Sequence, residues 1–212
     1  MQQYLRCVDA SPRFIVEPFH PDTQMIQHQS GILADVPSQA RHLYFALESQ
    51  EGLQTALEGL SRLADGDSLV VGFGESLVNA LGARVEGLRT FPALTGAGVD
   101  VPSTQHALWC WLRGDDRGEL LHRARELEAA LAPALRPVRM AEAFRYGIGR
   151  DLTGYEDGTE NPEGEDAEAA AIVGAGTEQV AGGSFAAVQH WLHDLDGFAA
   201  LSGAERDNII GR

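Results

Sequence analysis

From Arg41 onward the apolar positions settle into two periods that alternate along the chain. Arg41–Glu48 places Leu43, Phe45 and Leu47 on one side, the period of two expected of a strand with one buried face. Glu51–Ala64 carries Leu53, Leu57, Leu60 and Leu63 at helical spacing, which predicts an amphipathic helix ended by Asp65-Gly66-Asp67. Ser68–Phe73 reads as a short buried strand, and Gly74–Gly82 as a brief helix closed by glycine. Residues 84–105, rich in Gly and Pro, read as loop.

A second round follows. Gln105–Leu112 reads as a strand whose Trp109 and Trp111 pack into the core. Asp116–Leu131 is a helix with Leu120, Leu121, Ala124, Leu127, Ala130 and Leu131 on its buried face, and Pro137–Tyr146 is another strand. Strand, helix, strand, short helix, strand, helix, strand is compatible with an α+β, ferredoxin-like domain, an antiparallel sheet with helices on one face. After an acidic loop, Ser184–Leu192 reads as a further strand and Asp196–Ile210 as a helix that can break at the capping box of Ser202 and Glu205. The expected organisation is therefore an N-terminal extension over residues 1–26, a first ferredoxin-like domain over 27–148, a loop and linker over 149–183, and the start of a second, incomplete ferredoxin-like domain over 184–212.

Charge narrows the partners. Among 212 residues, 31 Asp and Glu oppose 16 Lys and Arg, for a net charge of −15. Nucleic acid and anionic membrane surfaces both call for basic patches, so neither is expected as a partner. Residues 1–26 show no basic start followed by a long apolar run, and no apolar stretch reaches the roughly 20 residues that span a bilayer. Cys7 and Cys110 are far apart, and Cys110 sits in an apolar run as a buried thiol. Together these features set the expectation of a cytoplasmic protein.

The densest chemistry lies in Gly149–Ala167, GRDLTGYEDGTENPEGEDA. Gly154 and Gly158 flank Asp157 closely and allow tight turns and a close backbone approach. Asn161-Pro162 disfavours helix at the residue before proline. From residue chemistry alone, an ordinary acidic Asp-Gly turn and a functional loop both stand. Asp157, Glu160, Glu163, Glu165 and Asp166 could also suggest calcium, although the EF-hand order is not met. No GxSxG, P-loop, HExxH or GxGxxG after a strand is present.

GYEDGTENP resembles the GxxDG signature of the dye-decolourising peroxidases, a family of haem peroxidases. Four further stretches resemble the family in order: Gln29-Ser30-Gly31-Ile32-Leu33, Arg150-Asp151-Leu152-Thr153-Gly154, Gly183-Ser184-Phe185 through Val188-Gln189, and Trp191-Leu192-His193-Asp194-Leu195 running on to Ile210-Gly211-Arg212. The resemblance implies two ferredoxin-like domains of the dimeric α/β-barrel superfamily, heme b as cofactor, and a homo-oligomer. It implies oxidation of a reducing organic substrate, such as a bulky dye or phenol, by hydrogen peroxide. It assigns Asp157 the distal acid–base role, with Gly158 and Thr159 beside it at the cofactor, and Arg212 a contact to a haem propionate. Thr159 and Asn161 are expected to hold the loop by hydrogen bonds. Arg212 also reads as a plain helix-terminal cation.

The same resemblance places the axial histidine beyond residue 212 and matches none of His20, His28, His42, His106, His122, His190 or His193 to it. His193 is expected to pair with Asp194, and His190 to face solvent. The lack of an axial ligand motivates a second expectation, a binding or assembly module that keeps the fold without redox chemistry.

Overall fold

The computed structural model describes residues 28–96, 99–176 and 180–212. The expected N-terminal extension and Cys7 lie outside these residues. Four strands form one antiparallel sheet: β1 (Gln39–Leu47), β2 (Leu69–Phe73), β5 (Leu108–Gly114) and β6 (Leu135–Phe144), in the order β2-β5-β1-β6. Helix α1 (Leu53–Leu63) connects β1 to β2, and α3 (Arg117–Leu131) connects β5 to β6. This is the ferredoxin-like α+β arrangement that the alternating periods predict.

Alternation along the strands sorts the two faces. Leu43 and Phe45 of β1, with Leu108, Cys110 and Leu112 of β5, point to the helices and are buried. Leu53, Ala56 and Leu60 of α1 and Leu120, Ala124, Leu127 and Leu131 of α3 complete this core. Burial pushes the Cys110 thiol pKa upward, so it behaves as an apolar side chain. Trp109 and Trp111 do not belong to this core. The same period of two that buries their neighbours turns both indoles to the other face, half-buried. There His42 lies against both indoles, 5.8 Å from each ring centre with 6.1 Å between the indoles themselves, and Trp109 Nε1 donates to His42 Nδ1 at 3.1 Å.

Local signals fix the ends. The Asp116 carboxylate accepts from the Glu119 amide at 2.9 Å and caps α3. Pro137 lies on the edge strand β6, where a missing amide donor is tolerated and the pairing with β1 shifts register beside Phe45. The β2 edge is met by a side chain: Gln29 donates to the Val71 carbonyl at 2.9 Å and accepts from its amide at 2.8 Å.

Besides the two indoles, three segments differ in detail from the sequence reading. The loop-rich segment after the short helix α2 (Glu75–Ala80) contains a small antiparallel pair, β3 (Leu94–Gly96) with β4 (Val99–Val101). The expected loop and linker contains helix α4 (Gly164–Ala171), which begins only after Pro162 has passed. Residues 184–192 do not form a strand. They are exposed and have no neighbouring strand to pair with among the described residues. The following helix is split into α5 (Leu195–Ala199) and α6 (Gly203–Ile210), and the restart is the expected capping box of Ser202 and Glu205.

Gly31 belongs to the first stretch of the family resemblance, and packing explains its residue type. A Cβ there would lie 2.5 Å from the Asp67 carbonyl oxygen, 2.6 Å from Val70 Cγ2 and 2.8 Å from Arg113 Nη1. We expect Gly31→Ala to lower unfolding stability by roughly 1–3 kcal/mol, as overpacking does. Urea unfolding checks this, and an unchanged midpoint would show that the contact yields freely.

The candidate active-site loop

The acidic loop leaves the sheet where β6 ends. The Arg145 amide donates to the Ser38 carbonyl at 3.1 Å, continuing the β1–β6 contact for one more residue. Isolated antiparallel bridges then join Tyr146 to Arg150 and Arg150 to Glu156, so the chain doubles back twice within a short span. Gly154 has φ +93° and Gly158 has φ +71°, left-handed conformations that glycine adopts without strain.

Asp157 is exposed, and its Oδ1 accepts from the amide of Gly158 at 2.8 Å. The loop turns again at Asn161, whose amide donates to the Gly158 carbonyl at 3.0 Å. Among the described residues no hydrogen bond is made by the side chain of Thr159, so its expected bracing role is not seen; the Asn161 contribution comes from its backbone amide. Arg212 comes back to the loop from the end of α6, and its Nη2 donates to the Glu156 carbonyl at 2.8 Å. Arg212 is thus beside Asp157 in the fold although 55 positions after it in the chain.

An open basin of about 480 Å³ lies here, lined by Arg150, Thr153, Gly154, Tyr155, Glu156 and Arg212. Two guanidiniums on one basin suit an anionic ligand group, since arginine binds carboxylates through a planar fork. Arg150 Nη1 donates to the Gly154 carbonyl at 2.7 Å, and Nη2 approaches Glu156 at 3.4 Å. The basin's lining contains no histidine, and among the described residues no three His, Cys, Asp or Glu side chains converge on a point that could hold a metal ion. The residues present fit the carboxylate edge of a haem and not its iron.

Several side-chain contacts that the sequence reading did not assign also shape the loop. Asp151 Oδ1 accepts from the amide of Thr153 at 2.6 Å and from its hydroxyl, and Oδ2 accepts from His193 Nε2 at 3.2 Å. His193 therefore pairs with Asp151 and not with Asp194, whose carboxylate instead caps α5 through the Gly197 amide at 2.9 Å. The Tyr155 hydroxyl donates to Asp207 of α6 at 2.5 Å, and this bond raises its pKa. His190 is exposed, as expected, with Nδ1 against the Arg139 guanidinium. The Asp-x-Thr spacing of 151 and 153 is a known local turn signal and could have exposed the first of these contacts.

Comparison with known proteins sets this geometry in a family. Residues 149–212 match the region described as "Dyp-type peroxidase, C-terminal". The chain is 35% identical over 163 residues to the dye-decolorizing peroxidase of Rhodococcus erythropolis, covering 76% of this chain and 48% of that protein. A putative Dyp-type peroxidase from Shewanella oneidensis superposes with a TM-score of 0.78 at 28% identity, over 89% of this chain and 66% of that one. A DypB variant from Rhodococcus jostii, solved in complex with heme, shares the fold with a TM-score of 0.71 at 23% identity, over 88% of this chain and 65% of that one. Sequence and fold both set this chain among the Dyp-type proteins. It belongs to the Dyp-type peroxidase family, and it spans about half the length of the curated relatives it matches.

The Asp151 carboxyl has a lowered pKa, chiefly through the Thr153 side-chain and backbone bonds and secondarily through His193. A carboxylate with a depressed folded pKa stabilises its loop fully above the unfolded value of about 3.9 and loses this as pH falls through the folded value. We expect the Thr153 amide resonance to hold its position from neutral pH down to about 4 and to move only below that. A transition centred well above this range would contradict the bonding described.

Proposed function

We propose that the chain carries the distal face of a peroxidase that uses hydrogen peroxide to oxidise bulky organic electron donors such as dyes and phenols. Heme b is the cofactor in this reading, and when bound it supplies the iron chemistry of peroxide reduction and substrate oxidation. The single observation that carries the reading is the placement of an exposed Asp157 on a turn braced by glycines, beside a basin bearing Arg150 and Arg212.

Each residue has a physical task. Asp157 takes a proton from one oxygen of hydrogen peroxide and returns it to the other, the leaving oxygen, which departs as water. A short carboxylate reaches both oxygens only if its backbone lies close, and Gly154 and Gly158 permit that approach. The Gly158 amide, bonded to Asp157 Oδ1, orients the carboxylate, and Thr159 follows at the same turn. Arg212 and Arg150 would hold the cofactor's carboxylate groups through charge-assisted hydrogen bonds. His193 would stay with Asp151 and would not hold the iron. The acidic surface suits a soluble, cytoplasmic enzyme, and a homo-oligomer is the proposed state.

A second reading draws on one specific observation. Phe185, Val188, Trp191, Leu192 and Leu195 are all exposed, with Leu192 at 92%. On this reading the chain is a binding or assembly module without redox chemistry, and this apolar run meets its partner.

Asp157→Asn in the haem-loaded protein distinguishes the two. We expect the rate of reaction with hydrogen peroxide, followed by stopped-flow absorption, to fall by about 10²–10⁴-fold while haem content is kept. An unchanged rate would remove Asp157 from the proton-transfer role.

A further inference from the structure

The turn before Asp157 is held from one distant part of the chain. His193 reaches Asp151, Asp207 accepts from Tyr155, and Arg212 donates to the Glu156 carbonyl. All three tethers start in residues 193–212 and land on residues 151–156. Asp151 is the most connected anchor. Besides the three bonds to its carboxylate, its amide donates to the Tyr155 carbonyl at 2.9 Å and its carbonyl accepts from the Gly154 amide at 2.9 Å. Both ends of the 151–155 turn are therefore closed by one residue.

We propose that Asp151 is a positioning residue for Asp157: gripped by Thr153 and His193, it latches the 151–158 turn to the segment that leads into α5. This rests on the reading of Asp157 as the proton-handling group. The chemistry of the latch is local. One carboxylate oxygen satisfies the Thr153 amide and hydroxyl, and the other is left to take a donor from across the fold. His193 supplies that donor on a side chain only 26% exposed, while Asp151 is 34% exposed. Asp194, the next residue, caps α5, so the tether ends on an ordered helix start. Without the His193 contact, one of the three tethers is gone. The turn can still re-form its internal Asp-x-Thr bonds, but it opens more often and carries Asp157 away from its fixed place when it does.

The test uses the 212-residue chain without haem. Amide hydrogen exchange is read at the bonded amides of Asp151, Thr153, Gly154 and Gly158, with β1 and β5 amides as an internal reference. In His193→Ala we expect these loop amides to exchange about tenfold faster or more, with the sheet unchanged. His193→Gln places an amide donor near the same position and is expected to restore protection. Unchanged loop exchange in His193→Ala would overturn the latch. Faster exchange in loop and sheet alike would also overturn it, because the role would then be fold-wide, and so would a failure of His193→Gln to rescue. The peroxide reading fails separately: if loop exchange responds as expected but Asp157→Asn leaves the peroxide reaction of the haem-loaded protein unchanged, the latch stands and the assigned catalytic role falls.

Discussion

The structure depends on β1 being paired on both sides. Its partners β5 and β6 arrive late in the chain, with His42 opposite Trp111 on one flank and Ala141 on the other. Leu43 and Phe45, fully buried, anchor its helix side to α1 and α3. Until both partners dock, this strand exposes its apolar face and open backbone groups, which is costly. Closing these long loops early is entropically unfavourable, so the hydrophobic face must repay the ordering of intervening residues.

The candidate site inherits its place from that pairing. The loop starts from the end of β6, where Arg145 still bonds Ser38 just before β1. Loop glycines then let the backbone reverse, and side chains from α6 and the segment before α5 return to hold it. The fold thus contributes a rigid origin, and the last twenty residues contribute the clamps. On a strongly acidic chain, the basin gathers two cations, Arg150 and Arg212, against one carboxylate, Glu156.

Local periodicity made most of the domain legible. Leu43, Phe45 and Leu47 announced a strand, and Leu53, Leu57, Leu60 and Leu63 announced a helix, because each period is a direct consequence of side-chain geometry. The Trp109 and Trp111 face was misjudged because aromatic content suggests core, whereas alternation with Leu108, Cys110 and Leu112 decides the side. Residues 184–192 have strand-like composition, but a strand exists only with a partner, and local sequence does not supply one. At the site, motif resemblance drew attention to Asp157, Gly158, Thr159 and Arg212, and the fold brings Arg212 back to the Glu156 carbonyl beside Asp157. The pairing of His193 with Asp151 was not legible, because it joins residues 42 apart, while the neighbouring Asp194 offered a closer but wrong partner.

The central claim is that this chain offers the distal and propionate side of a haem site, with His193 committed to Asp151. A haemin titration of the 212-residue chain, read at the Soret band, tests it most directly. The account predicts a spectrum without histidine ligation, and association that weakens when Arg150 and Arg212 are replaced by alanine. A stoichiometric, histidine-ligated spectrum that disappears in His193→Ala would contradict it, because His193 would then hold the iron rather than the loop.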